Sequence, residues 1–459
     1  MASAQKLNQW STTIAAPWQK SPTLSFVTGQ EIPGKEASVL EVFPADRLQQ
    51  IEGFGACFNE LGWEALLTLN ADARTEMLRD LFSAEGVHFT VCRLPLGSND
   101  YSLSYYSYDD VPDDVEMQNF NIDRDRYILI PYIKAAKVFN PNLTLWASPW
   151  SPPAWMKVNN HYATGAYNAT KRIDEGRFIR NNATAFRMEN RYLEAYSLYF
   201  AKYVKAYRNE GITVSRVMVQ NEPIYQPHWQ SCTWRPDDLA YFVGAFLGPR
   251  FVKDTVPAEI WLGTVNSPDP AYARVVLQHP EASKYIKGLG VQWDAKRAIA
   301  TLHTEFPNLP VMQTESECGN GENNWQSAEY TWSLIYQYLS HGANSYMYWN
   351  MVLDETGMST WGWKQNALIS IDRKTHAVVY HPEYYLMKHL SHFVQPGAYR
   401  LRTSGETNAL AFQNPNGDIA LLLLNTAATD TSLRLAVGTT TVTVPLKAKS
   451  INTFTWSPR

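Results

Sequence analysis

The chain predicts an α/β fold, a (β/α)8 TIM barrel with an attached antiparallel β-sandwich formed by both termini, and three patterns carry that expectation. Apolar runs at 50–57, 88–94, 143–148, 216–221, 259–264, 288–293, 310–315 and 344–350 read as strands. Amphipathic stretches near 61–83, 124–139, 187–209, 236–253, 271–286, 294–305, 326–341 and 382–393 alternate with them. Beyond residue 396 the helical rhythm stops, and β-branched runs such as Ile419 to Leu424 and Thr439 to Val444 take over.

Each element has a local reason. Ala37 to Val42 alternates like a half-buried strand after a polar N-terminal stretch, and it is expected to join the C-terminal sheet. The division that follows is 1–46 for the N-terminal contribution to the sandwich, 47–395 for the barrel and 396–459 for the rest of the sandwich. The stretch 187–209 is the clearest helix. Tyr192, Tyr196, Tyr199, Tyr203 and Tyr207 form one stripe at helical spacing facing the barrel wall, and Gly211 sits where a C-terminal cap belongs.

Composition narrows the function. With 459 residues, 45% of them hydrophobic, a large core is available. A net charge of −4 without a lysine or arginine block leaves no footprint for nucleic acid. No apolar run approaches the ~18 residues that span a bilayer, and the first residues carry no signal-peptide pattern. The four cysteines are scattered without Cys-x-x-Cys spacing, which indicates neither a zinc site nor a disulfide framework and leaves room for a single bridge. The histidines, among them His161, His228, His303, His341, His376, His381 and His389, read as surface or capping residues, so neither a metal nor a cofactor is expected. Sequons stand at Asn142, Asn168 and Asn182. The 16 Trp, 26 Tyr and 18 Phe favour a carbohydrate partner, because flat rings match the C–H faces of sugars at low entropic cost.

In a barrel of this kind the C-terminal ends of the strands carry function. Here they carry Arg93 and Asp100 after strand two, Ser148 and Trp150 after strand three, and Asn221-Glu222-Pro223 after strand four. Gln292-Trp293-Asp294 follow strand six, Glu315 ends strand seven, and Trp349-Asn350 end strand eight. Glu222 and Glu315 face each other across the mouth, and such a pair is the equipment for splitting a glycosidic bond. Glu222 reads as the general acid/base and Glu315 as the nucleophile held ionised by Arg93. Glu317, two residues on, competes with Glu315, but Ser316 and Cys318-Gly319-Asn320-Gly321 read as a loop already begun.

Ile51-Glu52-Gly53-Phe54-Gly55-Ala56, Cys92-Arg93-Leu94-Pro95-Leu96, Ala147 to Lys157, Asn221-Glu222-Pro223 and Gln313-Thr314-Glu315-Ser316 together resemble glycoside hydrolase family 30. That family includes glucosylceramidases and β-1,6-glucanases. The resemblance spans about residues 50 to 400 and implies a retaining mechanism. It implies sugar-holding roles for Arg93, Asp100, Trp150, Asn221, Trp349 and Asn366. Asp294 after Trp293 departs from the tyrosine of the glucosylceramidase pattern and implies a more polar subsite. Trp361 and Trp363 would add a wall for a neighbouring glucose unit.

The expectation is a retaining hydrolase of β-linked glucosides, foremost an endo-β-1,6-glucanase. An exo-acting β-glucosidase, glucosylceramidase or β-xylosidase of the same family is the alternative. A non-catalytic carbohydrate-binding protein is the reading from a different class, and it loses ground because both glutamates are present. A β-glucan or β-glucoside is the expected partner, and a secreted or periplasmic location follows from such a substrate rather than from any residue.

Overall fold

The computed structural model describes residues 5–28, 39–165, 183–405 and 408–458. Eight parallel strands, Gly53–Cys57, Val91–Pro95, Thr144–Ser148, Val214–Met218, Glu259–Val265, Ile286–Val291, Val311–Gln313 and Ala343–Asp354, stand side by side in chain order. The eighth pairs with both the first and the seventh, which closes the barrel. Strands one and two approach closely because Gly55 has no side chain: a Cβ there would lie 1.6 Å from the Val91 carbonyl oxygen. Val91, Trp146, Met218, Trp261, Met312 and Met347, one from each of six strands, form a buried cluster. Near its lower end Arg216 pairs with Glu52, and its guanidinium lies 4.4 Å from the Trp261 ring. At the other end Arg93 lies over Trp146 at 5.0 Å. The barrel interior is therefore a plugged core with its polar chemistry stacked on top.

The helical stretches fall where the amphipathic pattern puts them, with breaks that have local causes. The stretch expected at 61–83 is two helices, Glu60–Leu67 and Ala71–Phe82, because Asn70 caps the second by accepting from the Ala73 N–H at 2.9 Å. The stretch at 236–253 contains a π-helical turn, Val243–Leu247. Asn190–Asn209 carries the five tyrosines, all fully buried, and Gly211 takes φ +79° just past its end. The stripe packs on loop residues as well as on the barrel: Tyr199 and Tyr203 stack on Tyr108, and Tyr196 stacks on Phe242. Tyr106, Tyr108 and Tyr207 all donate hydroxyl hydrogen bonds to the buried Asp125 carboxylate.

The sandwich draws strands from both ends of the chain. Val39–Gln50 pairs antiparallel with Tyr399–Ser404 and parallel with Thr431–Val437, and it runs past residue 46. The polar N-terminal stretch also contains a strand, Lys6–Thr12, paired with Ser450–Trp456. Ile419–Asn425 lies between Ala409–Gln413 and Ser450–Trp456, buried along its whole length. Ala37, Ser38 and the sequons at Asn168 and Asn182 lie outside the described residues, while Asn142 is exposed. All four cysteines are buried free thiols. Among the described residues no helix is long and apolar enough to cross a membrane.

One histidine corrects the sequence reading. His389 is neither a surface nor a capping residue: it is fully buried where barrel and sandwich meet. Its two ring nitrogens bond the hydroxyls of Thr12 and Thr453, at 2.9 and 2.8 Å, on the two paired terminal strands. Burial pushes its pKa down to about 3, so the ring is neutral in the fold. The unfolded chain takes up this proton near pH 6.5, so the junction stabilises fully above that value and loses its contribution as the pH falls toward 3. His389→Ala, which removes a bond from each of two buried hydroxyls, should lower the unfolding free energy by about 2 kcal/mol in denaturant titrations at neutral pH. His389→Gln should retain most of that stability and lose less of it than the wild type as the pH is lowered.

Candidate active site

A cavity of about 430 Å3 opens at the C-terminal end of the barrel strands. Asp100, Trp150, Asn221, Glu222, Trp293, Asp294, Glu315 and Trp363 line it, eight of the residues picked from the sequence. Strands four and seven end earlier than the apolar runs that announced them, at Met218 and Gln313. Glu222 and Glu315 therefore sit on the loops that follow. Glu222 is held at φ +47°, a left-handed conformation that costs a non-glycine residue about 1 kcal/mol or more. Its N–H donates to the Thr264 carbonyl at 3.0 Å, and its carbonyl accepts from the Tyr225 N–H at 3.0 Å. Trp293 is fixed in the same region at φ +50°.

Arg93 lies beneath the cavity with no solvent exposure. It donates to Glu315 Oε2 at 2.7 Å, to Asn221 Oδ1 at 2.7 Å and to Ser148 Oγ at 2.9 Å. Its guanidinium carbon is 4.2 Å from the Trp150 ring centroid and 5.4 Å from that of Trp349. The other oxygen of Glu315 accepts from Trp293 Nε1 at 2.9 Å. Glu317 is turned to Lys296 and to the Tyr330 hydroxyl and does not reach the cavity, which separates it from Glu315.

Asn221 Oδ1 also accepts from Thr264 Oγ1 at 2.9 Å and Gln292 Nε2 at 3.3 Å. An amide whose oxygen is saturated in this way has only its NH2 left for a ligand. Gln292 is oriented by the Thr314 hydroxyl, which donates to its Oε1 at 2.8 Å, and its Nε2 donates to Glu222 Oε1 at 3.2 Å. Its amide thus links Glu222 to Asn221, which Arg93 in turn ties to Glu315.

The two carboxyls are held unequally. Burial raises both above the ordinary glutamate value. For Glu315 the charge of Arg93 and the bonds from Trp293 and Arg93 pull the other way. Glu222 has no cation in contact, and burial plus the charge of Glu315 push it up to about 8. Of the pair, Glu315 gives up its proton first and Glu222 keeps it at neutral pH. Asp100 is also driven well above its usual range by burial and by Glu315, and its Oδ1 is buried without a partner. Such an oxygen is ready to accept from a ligand hydroxyl.

Three sequence candidates do not line the cavity, the first being Arg93 beneath it, which is buried away from any sugar. Asn366 is a correction: its Nδ2 donates to Glu383 at 2.8 Å and its Oδ1 accepts from the Gly321 N–H at 2.8 Å, so its side chain braces the loop after strand seven instead of the cavity. Trp349 stands behind Trp150, ring centroids 5.5 Å apart, and holds the wall from the rear. Trp363 packs against Trp229 at 3.9 Å. Asp294 is at the mouth, half-exposed, 3.7 Å from Arg297. Tyr225, Trp229 and Asn266 also line the cavity, and no motif in the sequence marks them; Gln292 shows there only as a strand end. Tyr225 and Trp229 follow Pro223 in a stretch without periodicity, and their only signal was nearness to Glu222. Among the described residues no cluster of three His, Cys, Asp or Glu side chains is placed to hold a metal ion.

A closed barrel carrying two unequally held carboxylates in one sugar-sized cavity defines a glycoside hydrolase. The sequence matches the glycosyl hydrolase family 30 TIM-barrel domain over residues 51–394 and that family's β-sandwich domain over residues 397–454. The chain belongs to glycosyl hydrolase family 30. It is 26% identical over 449 residues to the lysosomal acid glucosylceramidase of Mus musculus, covering 91% of this chain and 83% of the relative. It is also 26% identical over 447 residues to the endo-1,6-beta-D-glucanase neg1 of Aspergillus fumigatus, covering 93% of this chain and 89% of the relative. Its fold is similar to that of SrfJ from Salmonella typhimurium, with a TM-score of 0.88 and 24% identity over 99% of this chain and all of the other.

The buried ion pair sets a stability prediction. Arg93→Met leaves Glu315 buried and unpaired and should destabilise the fold by about 3–5 kcal/mol in chemical denaturation. The raised Glu222 sets another. Between pH 4.5 and about 8 the unfolded chain releases this proton and the folded chain holds it, so wild-type stability falls as the pH rises through that window. Glu222→Gln removes the penalty, and its melting temperature should gain on the wild type from the acid to the alkaline end of that range.

Proposed function

We propose that this glycoside hydrolase works by double displacement on β-linked glucose and cuts β-1,6-linked glucan chains internally. The observation that carries the reading is the unequal pair in one cavity: Glu315 bonded to a buried cation, Glu222 bonded to the neutral Gln292 and kept protonated. Both carboxyls line one cavity and Glu222 feels the charge of Glu315, which supports the short gap of about 5–5.5 Å that direct attack requires.

In the first step a carboxylate oxygen of Glu315 bonds to the anomeric carbon. Glu222 passes its proton to the departing glycosidic oxygen, and that C–O bond breaks. The glycosyl ester removes the negative charge of Glu315. With that charge gone, one of the causes that raised Glu222 disappears, and its carboxylate becomes suited to its second task. It then takes a proton from water while the water oxygen replaces Glu315 at the anomeric carbon. Asn221 Nδ2 and the unpartnered Asp100 oxygen offer a donor and an acceptor to the sugar hydroxyls.

A neutral, hydroxyl-rich sugar fits the wall, where the acidic side chains Asp100, Glu222, Asp294 and Glu315 outnumber the one lysine, Lys364, and no cationic cluster awaits a uronic acid. Tyr225, Trp229 and Trp363 extend that wall with aromatic surface suited to a second glucose. Relatives named for glucosylceramide and for 1,6-glucan stand at the same identity, so the choice between them rests on this wall and on Asp294 at the mouth. A single-glucose exo-hydrolase releasing an apolar group is the second reading, favoured by the exposed Ile224 and Tyr225 just after Glu222. A glucan substrate lies outside the cell, and export of the enzyme belongs to the same proposal.

Product analysis on pustulan, laminarin, xylan and aryl glycosides tests the substrate. Gentio-oligosaccharides from pustulan are expected, glucose alone would favour the second reading, and release of xylo-oligomers would remove the glucan assignment. For the mechanism, proton NMR of the first turnovers should show the β-anomer appearing before mutarotation. Glu315→Ala and Glu222→Ala should each slow turnover of natural glycosides by about 10^3-fold or more, with circular dichroism unchanged.

A further inference from the structure

Part of the aromatic excess of this chain is laid out as a row of two ring groups joined by hydrogen bonds through His228. Behind the cavity wall the buried Tyr101 stands edge-on to Trp349 at 6.4 Å and to Trp363 at 6.5 Å, and Trp363 packs against Trp229. The row continues outward beyond the cavity. His228 is edge-on to Trp363 at 5.4 Å, and its Nε2 lies 3.2 Å from the Trp361 carbonyl oxygen. Trp361 lies 5.0 Å from Tyr105, and Tyr105 is parallel to Tyr162 at 5.4 Å and 3°. The Tyr105 hydroxyl donates to the His228 carbonyl at 3.0 Å, tying the loop after strand two to the loop after strand four.

Trp361, Tyr105 and Tyr162 differ from the packing tyrosines of helix Asn190–Asn209. Those are fully buried, whereas these three are only half-buried and lie outside the catalytic cavity. Their positions are set by contacts and hydrogen bonds between loops, so their surfaces are ordered before any ligand arrives. The direction of the row is also informative. Glu222 protonates the leaving oxygen, and the loop that carries Glu222 also carries His228 and Trp229, the rings through which the row leaves the cavity. The row thus runs on the leaving-group side.

We propose that Trp361, Tyr105 and Tyr162 form an outer saccharide-binding track that holds the leaving-group part of a neutral β-glucan, beyond the sugar next to the bond being cut. The inference rests on the glucan reading of the cavity and adds to it that the substrate is a chain of several units. Stacking on distant rings is binding energy that the enzyme uses to hold the reacting bond in place, so longer chains should react faster per encounter.

The test compares kcat/KM across purified gentio-oligosaccharides, from the disaccharide to the hexasaccharide, for the wild type, Trp361→Ala and Tyr162→Ala. The wild type should show a rise of about 10-fold or more with length, equivalent to about 1.4 kcal/mol. Each variant should flatten that rise while melting with the wild type. Trp361→Ala keeps the carbonyl that His228 contacts. A rise that survives in both variants, or a wild type without any rise, overturns the track and leaves the glucan reading standing. A wild type that turns over aryl glucosides but no oligosaccharide of any length overturns both.

Discussion

A single buried guanidinium organises the functional end of this molecule. Arg93 sits on top of the barrel core, over Trp146 and against Trp150, and its donors reach Glu315, Asn221 and Ser148. A cation without solvent exposure is tolerated only where its charge and its hydrogen bonds are answered, and three different strand ends answer it. The same contacts fix the side chains that face the sugar. Glu315 is held by one oxygen from below, and Asn221 has its amide turned so that only donors face the cavity.

The opposite carboxylate is defined by what it lacks. Glu222 has a neutral partner, Gln292, where Glu315 has a charged one, and its backbone sits in a left-handed conformation. Burial next to another carboxylate raises its pKa and opposes folding at neutral pH. The fold carries this cost at one spot, and the extensive core of barrel and sandwich offsets it. Destabilised ionisable groups of this sort are what general acid catalysis at neutral pH requires.

Much of this was legible in the sequence because it rests on periodicity and on strand ends. The eight apolar runs became the eight barrel strands, and Glu222 and Glu315 met in one cavity because each follows such a run. Val39–Gln50 joined the C-terminal strands as its alternation implied. Lys6–Thr12 did not announce itself, since several of its inward positions are polar: Gln9 and Thr12 are buried yet carry no hydrophobic signal. Asn366 lies close in sequence to Trp363, but a side chain's direction is not written in its position, and this one turns to Glu383. Gln292 marked a strand end, yet its bond to Glu222 depends on Thr314, a neighbour supplied only by folding. His389 looked like an ordinary helical histidine because its partners come from both chain termini.

Double displacement here requires Glu315, and not its neighbour Glu317, to be the group that bonds the sugar. Incubation with an activated 2-deoxy-2-fluoro-β-glucoside, a substrate whose second step is slow, followed by peptide mass mapping, addresses this directly. One sugar per chain, attached at Glu315, is the predicted result. A label on Glu317, or turnover that never leaves a sugar on the protein, would contradict it.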